Sequence, residues 1–196
     1  MRDQTRPAMF KKVLLGLIVV VAAFCALVAT RPTDFRVSRS ATMPVAPDVV
    51  FSHINDLKKW QEWSPWAKLD PNCKTAFEGP VAGVGAKFAW DGNNDVGVGS
   101  MTITESKPPE LVRIKLAFLK PMEGVSDVTF TLKPAASGTQ VTWQMDSKNG
   151  FMAKAFSLFV DCEKMCGDQF EQGFKNLKEV IAKVPPVAPA KVTQSN

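Results

Sequence analysis

Tyrosine is missing altogether, histidine occurs once, and cysteine occurs only four times in 196 residues. Four cysteines make no disulfide framework in a chain of this length, and without a C-x-x-C pair there is no zinc-ribbon pattern. A net excess of charge of one sign is also scarce outside one end. Residues 1–30 set Arg2, Arg6, Lys11 and Lys12 against Asp3, a net of +3, so only +2 of the total +5 belongs to the other 166 residues. A chain whose basicity sits at its N-terminus carries no nucleic-acid footprint. At 45% hydrophobic and 22% charged it is too apolar to be disordered, and it is too short for a TIM barrel.

What is abundant comes first at the N-terminus. Val13 to Thr30 is an 18-residue run without a charge, bounded by Lys11 and Lys12 before it and Arg31 after it. As a helix rising about 1.5 Å per residue it spans ~27 Å, close to a bilayer core. A cleaved signal peptide is the rival interpretation, but no A-x-A precedes Arg31, and Phe24 spoils the small position before Cys25 that a lipoprotein signal needs. An uncleaved signal anchor over residues 13–30 is expected, behind a basic tip at 1–12. Four Lys or Arg precede the span and three (Arg31, Arg36, Arg39) follow it within ten residues, which favours a cytoplasmic N-terminus and an extracytoplasmic domain.

From residue 31 to 183 the periodicity predicts one α+β domain. Phe35, Val37, Arg39, Ala41 and Met43 alternate with polar residues as a strand does. Pro44-Val-Ala-Pro-Asp48 opens a helix, with Asp48 as its expected N-cap and Val50, Ile54 and Leu57 on one face. Trp60 to Pro71 is punctuated by Trp and Pro. Six alternating runs follow, over 74–78, 86–91, 98–106, 110–118, 125–133 and 139–146, separated by turn signals such as Asp91-Gly-Asn-Asn and Lys107-Pro-Pro. From Phe151 to Lys183 the spacing of Phe159, Cys162, Cys166, Phe170, Phe174, Leu177 and Ile181 predicts one long amphipathic helix. Residues 184–196 read as a disordered Pro/Ala tail.

Two segments hold the most distinctive residues: Val45-Ala-Pro-Asp-Val-Val-Phe51, and Trp60-Gln-Glu-Trp-Ser-Pro-Trp66 with Leu69-Asp-Pro71. Gly83-Val-Gly-Ala-Lys-Phe-Ala-Trp90, Ile103-Thr-Glu-Ser106 and the closing helix complete the pattern. In this order they resemble the START-related polyketide cyclase/dehydrase and lipid-transport family, the helix-grip or birch-pollen-allergen-like proteins, over roughly Phe35 to Lys183. The resemblance implies a curved, seven-stranded antiparallel sheet wrapped on the C-terminal helix with a hydrophobic cavity between them. A family name transfers no chemistry, so an enzyme, a ligand carrier and a partner-binding module all remain open.

The candidate pocket follows from the alternation of the strands and the stripe of the helix: Trp60, Trp63, Trp66, Phe88, Trp90, Met101, Phe118, Trp143, Phe159, Cys162, Cys166 and Phe170. Any one of these is equally at home in a filled core. Together they oversupply the large, adaptable side chains that line apolar cavities, and the two cysteines leave room that Leu or Phe would fill. The expected guest is a hydrophobic small molecule or lipid, with no cofactor.

Chemistry is hard to find. His53 sits beside the Val50/Ile54 stripe, where a partly exposed position is expected, and no nucleophile motif accompanies it. Cys162 and Cys166 share a face at i and i+4, but two thiolates close no tetrahedral metal site. Asp91, Asn93 and Asp95 copy the start of a calcium loop, yet Val96 and Thr102 stand where Gly and Glu are needed. Arg113 and Lys115 alternate outward, and only Glu123 and Asp127 gather near a strand start. A cyclase or dehydratase needs buried donors or bases to handle an enolate. None converge here, so no catalytic residue and no metal ligand is assigned.

Overall fold

The computed structural model describes residues 5–183, with side chains from Phe10 onward. The expected Pro/Ala tail and the first four residues lie outside the described residues. These divide into two compact units: the chain up to Phe35 together with Lys148–Cys162, and Arg36–Ser147 together with the chain from Glu163.

In the first unit, α1 spans Thr5–Ala29, and from Val13 onward it carries no charged residue on any side. From Phe10 to Leu27 each residue is exposed, and Val28 is buried. Phe10–Ala29 is a helix long and apolar enough to cross a membrane. Signal sequences share those properties. The short helix α4, Phe151–Phe156, packs against α1.

The second unit holds the sheet. Its strands are β1 (Asp34–Met43), β2 (Lys74–Glu78), β3 (Lys87–Asp91), β4 (Val98–Lys107), β5 (Leu111–Lys120), β6 (Gly124–Ala135) and β7 (Gly138–Lys148), with the first and last crossing the unit boundary at their ends. Their order is β1-β7-β6-β5-β4-β3-β2, and each sequential pair from β2 to β7 is antiparallel. Short turns can join only antiparallel neighbours, so the chain meanders. The register aligns Phe77, Phe88, Met101 and Leu116 in one row, and Val112, Phe130 and Trp143 in another, all on the inner face. Two helices, α2 (Pro47–Ile54) and α3 (Leu57–Trp63), precede β2, and α2 rests on β5 and β6. The closing helix α5 spans Cys162–Ile181, and its buried face carries Gly167, Phe170, Gly173, Phe174, Leu177 and Ile181.

Four local expectations need correction. Ala46, not Asp48, is the N-cap of α2, because Pro47 at the first helical position already fixes the helical φ. The helical turn that the spacing of Trp60 and Trp63 implies is longer, a separate helix α3 that opens when Asp56 Oδ1 accepts hydrogen bonds from the backbone N–H of Lys58 (2.9 Å) and Lys59 (3.4 Å). His53 is buried, with 7% of its surface exposed, because α3 packs back on α2 and covers the side that the stripe left open. The long helix is two helices: Ser157 Oγ donates to Lys154 O at 2.7 Å and the chain turns over 157–161 before α5 begins. Serine competes with the helical ladder in this way.

Candidate functional site

The inner face of the sheet is organised around Trp143. Phe170 of α5 stacks on it with ring centroids 4.0 Å apart and planes 7° from parallel, and Phe130 lies 4.9 Å away on the neighbouring strand. Trp60, Trp63 and Phe174 meet it edge-on at 5.4–6.0 Å, and Trp66 does so at 6.1 Å. Edge-to-face and offset contacts at these distances are the favourable aromatic geometries. Gly173 makes the approach possible: a Cβ there would come within 2.8 Å of the Trp143 ring and 3.4 Å of Pro65. This part of the helix–sheet interface is therefore closed by rings in mutual contact.

The polar atoms around the cluster are mostly answered. Trp63 Nε1 donates to His53 O at 3.1 Å, and Asn176 Nδ2 donates to Trp63 O at 3.0 Å. Two buried atoms, Trp143 Nε1 and His53 Nδ1, have no hydrogen-bond partner. Burial pushes the His53 pKa below its ordinary 6.5, and the charge of Lys59 adds to the effect against weaker opposition from Glu62 and Asp56. His53 Nδ1 thus lacks the hydrogen-bond partner that orients a general-base imidazole.

A second aromatic group runs across the other end of the same face. Phe77 on β2 contacts Phe88 on β3 at 5.0 Å, Phe88 stacks on Trp90 at 5.7 Å, and Trp90 meets Phe118 of β5 edge-on at 5.7 Å. Trp90 reaches β5 by crossing β4 at Gly99, where a Cβ would lie 2.5 Å from the indole ring. Its Nε1 donates to Val96 O at 3.0 Å, which fixes the ring flat against the sheet. This strip is only partly covered: Phe77 is 40% exposed, and Trp90 and Phe118 are half-buried. Beside it, Leu57, Lys58, Phe77, Pro80, Val81 and Ala86 help to line a depression of about 110 Å³.

Ten of the twelve expected pocket residues thus lie in the sheet-bearing unit, eight of them divided between two clusters. Trp60, Trp63, Trp66, Trp143 and Phe170 form the closed one, and Phe88, Trp90 and Phe118 the open one. Met101 is buried in the same row as Phe88, and Cys166 is half-buried on α5. Phe159 and Cys162 belong to the first unit, where Phe159 stands 80% exposed in the turn before α5. Missed were Gly99 and Gly173, whose absent side chains position Trp90 and Trp143. A glycine inside a strand or helix pattern is the signal that a close approach leaves.

The apparent calcium loop is a hairpin turn, in which Asn93 Oδ1 accepts from the N–H of Asp95 and Val96. Among the described residues no three His, Cys, Asp or Glu side chains gather as a metal site would. Arg113 and Lys115 lie on the outer face in exposed pairs with Glu105 and Asp127.

Residues 34–182 match the family model described as polyketide cyclase/dehydrase and lipid transport. The chain belongs to this family. Its solved relatives are distant in sequence and alike in fold. The protein MLL2253 from Mesorhizobium loti is 16% identical, with a TM-score of 0.57 over 77% of this chain and 99% of that one. The Aha1 protein of Colwellia psychrerythraea, solved as a dimer, is 15% identical with a TM-score of 0.54 over 75% of this chain and 96% of that one. Ara h 8.0201 is 14% identical with a TM-score of 0.55 over 77% and 99%. No curated protein matches the sequence significantly. The fold of this family member is the helix-grip fold, a seven-stranded antiparallel sheet with a long C-terminal helix.

Proposed function

We propose that this family member is a membrane-anchored domain that binds a hydrophobic, lipid-like or isoprenoid-like molecule on the inner face of its sheet, held to the bilayer by α1. The observation that carries this is the aromatic strip Phe77–Phe88–Trp90–Phe118, which stays partly open where the Trp143 cluster is closed. An adjoining depression of about 110 Å³ is smaller than the roughly 300–1,000 Å³ of ordinary ligand sites. A lipid-sized guest therefore binds by moving rings aside, starting from the strip. The closed cluster around Trp143 favours a second reading, a module that binds a protein partner and no small ligand.

Native mass spectrometry of the full chain released from nanodiscs separates the two. Binding predicts a co-purifying apolar molecule that Trp90→Ala loses while the thermal midpoint stays within a few degrees. A bare chain in every preparation, with no apolar probe quenching its Trp fluorescence, rejects the ligand and leaves the partner module.

A further inference from the structure

The ten residues from Phe151 to Val160 include an apolar set that nothing in the sheet-bearing unit's aromatic clusters uses. α4 has no buried residue. Phe151, Met152 and Phe156 are 51%, 66% and 46% exposed, and Phe159 in the following turn is more exposed still. Single apolar residues on a surface are ordinary, but three phenylalanines and a methionine within nine positions form a patch of the kind that meets another apolar phase.

The chain places that patch at the end of α1. α4 packs directly on α1, and its flanks are tied to the residues that leave that helix. Asn149 N–H donates to Thr33 O at 2.7 Å, Lys154 Nζ donates to Thr33 Oγ1 at 2.8 Å, and Lys148 pairs with Asp34 at 2.5 Å. Thr33 is four residues beyond Ala29, so even a fully extended chain carries it no more than about 14 Å from the helix end. Interfacial helices bury their apolar side about 5–10 Å into the headgroup boundary, a layer of the same order. Arg31, Lys148 and Lys154 outnumber Asp34 and Asp161 in these segments, a cation excess that suits anionic headgroups.

We propose that the segment Phe151–Val160 is a second membrane contact, lying in the interfacial layer of the leaflet from which α1 emerges, with Phe151, Met152, Phe156 and Phe159 in the acyl boundary. This rests on the reading of α1 as a membrane span. It gives the first unit two attachments to one leaflet, a spanning helix and an in-plane one.

The test places the photocrosslinker benzoylphenylalanine singly at Leu17, Phe156, Phe159 and Val125 of the full chain, in vesicles of phosphatidylcholine and phosphatidylglycerol. Val125 is an exposed apolar residue on the sheet's outer face. The proposal expects roughly tenfold more lipid adduct at 156 and 159 than at 125, as for a buried against a hydrated side chain. Lipid adduct at 17 with none at 156 or 159 overturns the second contact and leaves the anchor standing. Adducts at 156 and 159 with none at 17 support the contact and reject the span, and no adduct at any of the three rejects both. A crosslink from 156 to a second copy of the chain overturns the proposal in favour of self-association.

Discussion

Two glycines on the buried side of α5 show how differently one missing Cβ can act. A methyl group at Gly167 would overlap the guanidinium of Arg39, which is held by Glu163 at 2.6 Å and Glu171 at 3.1 Å. That guanidinium is the free end of a flexible side chain in exposed ion pairs, which are worth little. A methyl group at Gly173 would instead press on Trp143, a ring locked among six others. Gly167→Ala should therefore be close to neutral in urea denaturation, helped by the better helix propensity of alanine. Gly173→Ala should cost roughly 1–3 kcal/mol as an overpacked core does. Equal effects at both sites would contradict this account. His53 makes the other prediction at this scale. Its pKa is held down by burial, so the unfolded chain binds a proton that the folded one refuses. Stability is then complete above the unfolded value of about 6.5 and declines as pH falls below it toward the lowered folded value. As the sole histidine, it should carry most of that slope, and His53→Leu should flatten it. A slope unchanged in the variant would place the titration elsewhere.

Among the elements, the strands were the most legible and the helices less so. The run at Lys74–Glu78 coincides with β2, and the other five differ from β3–β7 by at most two residues at either end, because period-two alternation survives wherever one sheet face is buried. Of helix α3 only a helical turn through Trp60 and Trp63 was legible, because seven residues hold too few turns for a periodicity to show its full extent. Its real start signal was Asp56. Asp56→Ala should cost about 1 kcal/mol by removing the cap, lowering the thermal midpoint by roughly 2–4 °C in a domain of this size. Asp56→Asn should recover most of it, and a loss of the same size in both variants would mean the cap is not what matters. The break between α4 and α5 was illegible for a different reason. Phe151, Met152, Phe156 and Phe159 look like a continuation of the α5 stripe, and hydrophobicity alone does not say which surface a residue serves.

For the molecule as a whole, the anchor is the consequence easiest to check. The full chain should stay with the membrane through alkaline carbonate extraction, and its mature N-terminus should lie near Met1. A protein beginning near Arg31 would instead mark α1 as a cleaved signal. Composition and patterning alone determined the apolar N-terminal helix, seven strands and a closing amphipathic helix, because those follow from local periodicity that each segment carries within itself, while the family came from the resemblance of particular motifs such as Trp60–Trp66. Which aromatics close against one another was decided only by tertiary structure. Trp143 lies 80 residues from Trp63 in the chain, and their contact at 5.7 Å depends on the turn of α3, the register of β6 with β7 and the missing side chain of Gly173. The burial of His53 and the exposure of Phe159 were decided in the same way, since burial is a property of what packs over a residue rather than of the residue.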